Sequence, residues 1–227
     1  MKRKSKPAPR AYDAGRRRAA AEQTRRSIVE AARRLFLARG YAATTMPAIA
    51  EAAGVALDTI YASVGKKPTL FRLLIELAIS GAEAPVPALE RDYVRAIRCE
   101  PSAAGKLTRY AAAVASMHPR MAPLIRVLQA AAPQDESLAA VWKEISERRA
   151  ANMRLLAADL RATGQLRSEL SLEQVADVIW SMNAPEYYAL LVEQRGWPLA
   201  QFERWLAEAW CRTLLSTDTG AGQSANQ

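Results

Sequence analysis

A single histidine, His118, and two cysteines, Cys99 and Cys211, leave little in 227 residues from which to build a catalytic or metal centre. No Gly-rich phosphate loop is present, and no pair of ligand-type residues has metal-site spacing, so neither an enzyme nor a bound metal or cofactor is expected. Glu144 and Glu147 share a helix face, but Arg148 and Arg149 stand beside them, and a solvated charged face explains all four. Two cysteines so far apart do not make a disulfide framework. There is no apolar run of the ~18 residues a bilayer span requires. The charged N-terminus lacks the apolar core of a signal peptide, so the chain reads as cytoplasmic. Nor does any stretch alternate as a half-buried strand would.

What the chain does have is apolar residues, 50% of the total, recurring mostly every three or four positions. That periodicity predicts an all-α protein with room for two helical units. Positive charge is concentrated at one end. Residues 1–26 carry ten Lys/Arg against Asp13 and Glu22, so eight of the nine net charges sit there. With Pro7, Pro9 and Gly15, residues 1–21 read as a disordered basic arm ahead of the first helix. Arg16, Arg17, Arg18, Arg25 and Arg26 suit contact with a polyanion, along phosphates or in a minor groove; the alternative is a solubilising tail. No large apolar face accompanies these charges, which argues against membrane adhesion.

The stretch from Thr24 to Leu74 organises the rest. An amphipathic helix, Arg25 to Arg39, places Ile28, Ala31, Ala32, Leu35 and Phe36 on one face and stops at Gly40-Tyr41. Thr45 is a good N-cap, Pro47 sits harmlessly in a first turn, and Ile49, Ala50 and Ala53 recur at helical spacing. Gly54 ends that helix, Val55 fills the corner, and Leu57, Ile60 and Tyr61 begin another. Helix, glycine-containing turn, helix is the helix-turn-helix pattern, although an ordinary αα-hairpin in a helical core gives the same signal.

The run LFLARGYAATTMPAIAEAAGVALDTIYASVGKKPTLFRLL resembles the N-terminal domain of the tetracycline-repressor (TetR) family of transcriptional regulators. The resemblance is carried by Gly40-Tyr41, Thr44-Thr45, Ile49-Ala50, Ala53-Gly54-Val55, Thr59-Ile60-Tyr61, Lys67 and Leu70, and it covers about 60 residues. Ala56 replaces the usual Ser or Thr cap of the second helix, which weakens it by roughly 1 kcal/mol. Val64 stands near the usual aromatic position.

The family's architecture implies a three-helix helix-turn-helix domain over residues 22–82, a larger helical ligand-binding and dimerisation domain over 83–216, and a disordered tail at 217–227. It implies double-stranded operator DNA as partner, with Thr45, Thr59, Tyr61 and Lys67 on backbone phosphates and Lys66 adding charge. The outward positions of the second helix are Leu57, Asp58, Tyr61 and Ala62, with Thr59 and Ser63 beside them. They include no Arg, Asn or Gln for bidentate base pairing, so shape and the basic arm are expected to contribute much of the affinity.

Downstream, the sequence predicts helices near Ala88–Cys99, Ser102–Ser116 and Met121–Ala131, the last two separated at His118-Pro119. A long helix follows from a Ser137 cap to about Ala162. Ser171 to Gln174 forms a capping pattern, Pro185 interrupts the helix it opens, and a final helix runs from Leu199 to Leu215. The resemblance implies homodimerisation through residues 171–193 and 199–215, whose apolar positions occupy more than one stripe; a monomeric helical core is the alternative.

A family-type effector pocket would take a small apolar or amphipathic molecule, with Met117, Met121, Trp142, Met153, Trp180, Asn183 and Tyr187 as candidate lining residues. His118 reads as a surface or loop residue. The function implied is a ligand-responsive regulator, in this family more commonly a repressor. A helical interaction adaptor would share the core, and the basic arm ahead of the helix-turn-helix is what separates the two.

Overall fold

In the computed structural model, which describes residues 12–216, every regular element is a helix. Contacts divide the chain into two units, one ending at Leu74 and the other beginning at Ile75.

In the first unit, α1 (Tyr12–Ala43) packs on α2 (Met46–Ala53) and α3 (Leu57–Val64). The apolar stripe expected of α1 is its buried face: Ile28, Ala31, Ala32, Leu35 and Phe36 lie in the core with Ile49 and Ile60. Phe36, Tyr41 and Phe71 form an aromatic cluster, with Phe71 edge-on to both other rings at 4.9 and 5.4 Å. The first helix starts earlier than its sequence suggests. Residues 12–21 are helical rather than a disordered arm, and only residues 1–11 of that arm lie outside the described part of the chain. Alanine and arginine are good helix formers, and Arg18 reaches Glu22 one turn on at 3.2 Å. These local terms outweigh the lone Gly15.

The second unit takes in the later part of α4 (Lys67–Ser80), then α5 (Asp92–Cys99), α6 (Ala103–Ala131), α7 (Glu136–Arg161), α8 (Leu172–Met182), α9 (Pro185–Tyr188) and α10 (Leu199–Leu214). This division falls inside α4, whose end is held by the second unit. Glu76 pairs with Arg91 and Arg148, and Arg120 donates to the Ala78 carbonyl at 3.2 Å. Helix α6 packs on α5 and α10, and α7 on α8. Around them Leu107, Val175, Ile179, Phe202, Leu206 and Trp210 are fully enclosed.

Two expectations are corrected here. The helices foreseen at Ser102–Ser116 and Met121–Ala131 are one, α6, which runs through Pro119 and Pro123. An internal proline removes a hydrogen bond and crowds the preceding turn, at a cost of about 3 kcal/mol. Here side chains supplement the ladder beside the gap: Arg120 donates to the Ser116 carbonyl at 2.8 Å, and His118 Nδ1 lies 2.8 Å from the Val114 carbonyl. Burial of Ala115, Met121, Leu124, Ile125 and Leu128 holds both halves in line. His118 is therefore not a surface residue; it is 1% exposed, beside Tyr188 and Phe202.

Helix α7 is capped by Asp135, which accepts from the Ser137 and Leu138 amides, not by Ser137. The capping box at Ser171 and Gln174 forms as expected. After α8 the chain breaks at Asn183-Ala184, restarts at Pro185 and continues past α9 as a π-helical turn, Ala189–Gln194. Leu166 and Leu215 make an isolated antiparallel bridge that fastens the end of α10.

Candidate nucleic-acid interface and internal cavity

The turn between α2 and α3 is built from local chemistry. The Thr45 hydroxyl accepts from the Ala48 amide at 3.2 Å, capping α2. Gly54 takes φ 67° and ψ 34°, the left-handed conformation that ends α2 and turns the chain. Ala56 occupies the N-cap of α3 and supplies no side-chain bond, as its identity dictates. Thr44, fully buried, donates to the Gly40 and Leu35 carbonyls at 2.8 and 3.1 Å and so locks the bend between α1 and α2.

With Ile60 and Val64 inside, α3 turns Asp58, Tyr61 and Ala62 outward, and Leu57, Thr59 and Ser63 are half-buried at its edges. Tyr61 is 46% exposed, so its ring is not part of the core. Thr45 is exposed at the start of α2, Lys66 is exposed just before α4, and Lys67 is the first residue of α4. The Lys67 ammonium lies 4.1 Å from the centroid of the Tyr41 ring, an aromatic seat that restrains the side chain where the free amides of the helix begin. Ammonium, hydroxyls and free helix amides are the donors that phosphate oxygens accept. Arg16, Arg17 and Arg18 are exposed along the first turns of α1. Among the described residues no group of His, Cys, Asp and Glu could hold a metal.

Inside the second unit is a cavity of about 340 Å³ lined by α5, α6 and α7 together with Asn183. Met117, Met121, Met153 and Asn183 of the expected set line it, and so does His118, which the sequence reading set aside. Three expected residues do not. Trp142 is half-buried on α7. Tyr187 instead accepts a hydrogen bond from Trp205 at 2.7 Å. Trp180 lies behind the wall, its ring 4.3 Å from the Arg149 guanidinium.

The wall is mainly apolar, with Ile79, Val94, Ile97, Val114, Ile145 and Leu156. Polar side chains interrupt it, among them Tyr110, His118, Asn183 and four arginines. The Asn183 amide donates to the Tyr110 hydroxyl at 2.6 Å and meets Met153 Sδ at 3.1 Å, while its Oδ1 has no partner. Burial raises the Tyr110 phenol well above its ordinary value. It lowers the His118 imidazole, against the opposing pull of the Val114, Ala184 and Asn183 backbone groups. Arg149 is displaced downward by the same loss of solvent. Arginines 148 and 149 are thus not simply a solvated face: one pairs with Glu76, and both line the cavity. Helical spacing alone could not separate these arginines from the exposed charges around them, because their partners, Glu76 on α4 and Trp180 on α8, come from distant parts of the chain.

Comparison with known proteins bears on both halves. Residues 28–74 match the family profile of bacterial regulatory proteins, tetR family. The N-terminal unit belongs to the TetR family. Comparison with curated proteins gives no match. Solved structures resemble nearly the whole chain. NalD of Pseudomonas aeruginosa, the secondary repressor of the MexAB-OprM multidrug efflux pump, is 20% identical with a TM-score of 0.67, over 87% of this chain and 100% of its own. The MbdR regulator of Azoarcus sp. CIB is 19% identical with a TM-score of 0.61, over 85% and 100%. A transcriptional regulator from Saccharomonospora viridis in complex with choline is 15% identical with a TM-score of 0.62, over 85% and 97%. At such identities the shared property is the fold. No helix among the described residues is long and apolar enough to cross a membrane.

Proposed function

We propose that this TetR-family protein is a homodimeric, sequence-specific DNA-binding transcriptional regulator, a repressor released by a small apolar or amphipathic ligand. One observation carries the reading: an exposed α3 bearing Asp58, Tyr61 and Ala62 stands beside Thr45, Lys66 and Lys67, on a domain of the TetR family. In this reading α3 enters the major groove, the hydroxyls and ammonium groups hold phosphates, and Arg16, Arg17 and Arg18 add charge along the duplex.

The functional division runs over residues 22–82 for DNA and 83–216 for regulation and dimerisation, with α4 as the element common to both. Residues 171–193 and 199–215 form the dimer contact. In support, Leu172, Leu190, Leu199 and Trp205 are large apolar residues exposed on the single chain, Leu190 by 52%. Two α3 helices related by a two-fold axis then read two half-sites. The cavity takes the ligand, which acts by binding one conformer better than the other.

The test is fluorescence-anisotropy titration of duplexes tiled across the DNA flanking the gene, against a random duplex, at two salt concentrations. One tile binding about a thousandfold tighter than random is the expected result. Weak, equally salt-sensitive binding to every tile would favour a helical interaction adaptor with a basic terminus.

A further inference from the structure

We propose that the cavity's ligand is an anionic amphiphile, an apolar body ending in a carboxylate or similar acid, anchored by Arg149. This rests on the reading of the cavity as the effector site and names the chemistry of what enters it. The guanidinium of Arg149 is a permanent charge, yet its Nη1 is buried and has no hydrogen-bond partner. No described carboxylate pairs with it at ion-pair distance. A buried donor left unmatched is unfavourable, and an unmatched charged donor more so.

The side chain is also held in place: its guanidinium lies 4.3 Å from the centre of the Trp180 ring. An arginine that is stacked, largely desolvated and part of a mainly apolar cavity wall is preorganised for a planar acceptor, which a carboxylate supplies.

The neighbouring charges give the same sign. Arg91 and Arg148 also line the cavity, but both are engaged by Glu76, and Arg98 is exposed at the edge. Asp159 is the single acid of the lining. Four arginines against Asp159 and Glu76, with Glu186 the further acid that acts on Arg149, leave the cavity positive, an environment hostile to a quaternary ammonium ligand. At about 340 Å³ the space lies at the small end of small-molecule sites, and its apolar wall offers Val94, Ile97 and Leu156 to the ligand's body.

Isothermal titration calorimetry with three probes of equal chain length, octanoate, octanol and octyltrimethylammonium, tests this on the full-length protein. Octanoate is expected to bind most tightly. Arg149→Met, which keeps an apolar side chain against Trp180, should weaken octanoate about tenfold or more and leave octanol unchanged. Arg149→Lys should retain the preference for the acid with reduced affinity, and this holds the test open if the methionine variant does not fold. Arg154→Met, exposed on α7 and outside the cavity lining, should bind octanoate as the parent does.

Octanol or the ammonium binding as tightly as octanoate would overturn the proposal and leave the cavity a neutral effector site. So would undiminished octanoate binding by folded Arg149→Met. Absence of binding by all three probes would overturn the cavity reading itself, and the anion proposal with it.

Discussion

Asn183 Nδ2 lies 2.6 Å from the hydroxyl of Tyr110 and so ties the break after α8 to the first part of α6. Both residues are buried, and the hydroxyl also lies 3.4 Å from Met153 Sδ on α7. Three helices meet at one small polar cluster in an otherwise apolar surround. Replacing Tyr110 by Phe leaves the Asn183 amide with only a thioether, a weak acceptor. The expected loss is about 1–3 kcal/mol of unfolding free energy, the cost of an unmatched buried donor. Urea denaturation of the two proteins measures it, and a change within error would mean that water serves the amide instead.

The caps of α2 and α3 make opposite forecasts. Thr45 bonds the Ala48 amide, so Thr45→Ala should destabilise the N-terminal unit by roughly 1 kcal/mol. Ala56 leaves the start of α3 without a side-chain acceptor, so Ala56→Ser should stabilise it by a similar amount. Hydrogen exchange of the α2 and α3 amides reads both effects locally. Faster exchange in Ala56→Ser would show that the backbone there cannot use the hydroxyl.

For DNA, Tyr61→Phe and Lys67→Ala are expected to weaken operator binding without unfolding the protein. Loss of the Lys67 contact should also reduce the slope of log affinity against log salt by about one. Removing residues 1–20 should lower affinity and flatten the salt dependence further, since counterions released from phosphates supply that dependence. Unchanged affinity in both point variants would mean that α3 docks in another way.

His118 sets an expectation for pH. Burial lowers its folded-state pKa below the ordinary imidazole value of about 6.5. As pH falls through that value the unfolded chain takes up a proton that the folded chain refuses. Stability should therefore fall with pH from about 6.5 downward until the folded pKa is passed. His118→Asn should flatten this part of the profile, and melting temperatures at pH 7.5, 6.5 and 5.5 give the slope. An equally steep slope in the variant would assign it to other groups.

At the proposed dimer contact, Leu190→Glu places a charge on an apolar side chain that is half exposed in the single chain. Sedimentation velocity should then show a monomer at micromolar concentration, with operator affinity lost in parallel. A persistent dimer would move the interface away from residues 171–193.

Much of the N-terminal unit is legible from residue order because its determinants are local. Thr45, Pro47, Gly54 and Ala56 act on the few amides beside them, and the spacing of Ile28, Ala32, Leu35 and Phe36 selects the buried side of α1. The same local rules misplaced the start of α1, where helix propensity outweighed a glycine. They also misjudged α6: a proline's local cost was visible, but the buried residues and side-chain bonds that offset it were not.

By itself, then, the sequence determined an all-helical chain, the helix-turn-helix and its caps, and the concentration of positive charge ahead of it. These follow from periodicity, backbone preference and composition, which need no distant partner. Tertiary structure alone decided what became of His118, Arg149 and Asn183. His118 and Arg149 sit on helices whose own pattern is ambiguous and Asn183 at a break between helices, and each is buried or exposed according to which other helix covers it. The cavity, its positive sign and its unmatched guanidinium arise from side chains tens of residues apart along the chain, brought together only by the packing of α5, α6 and α7.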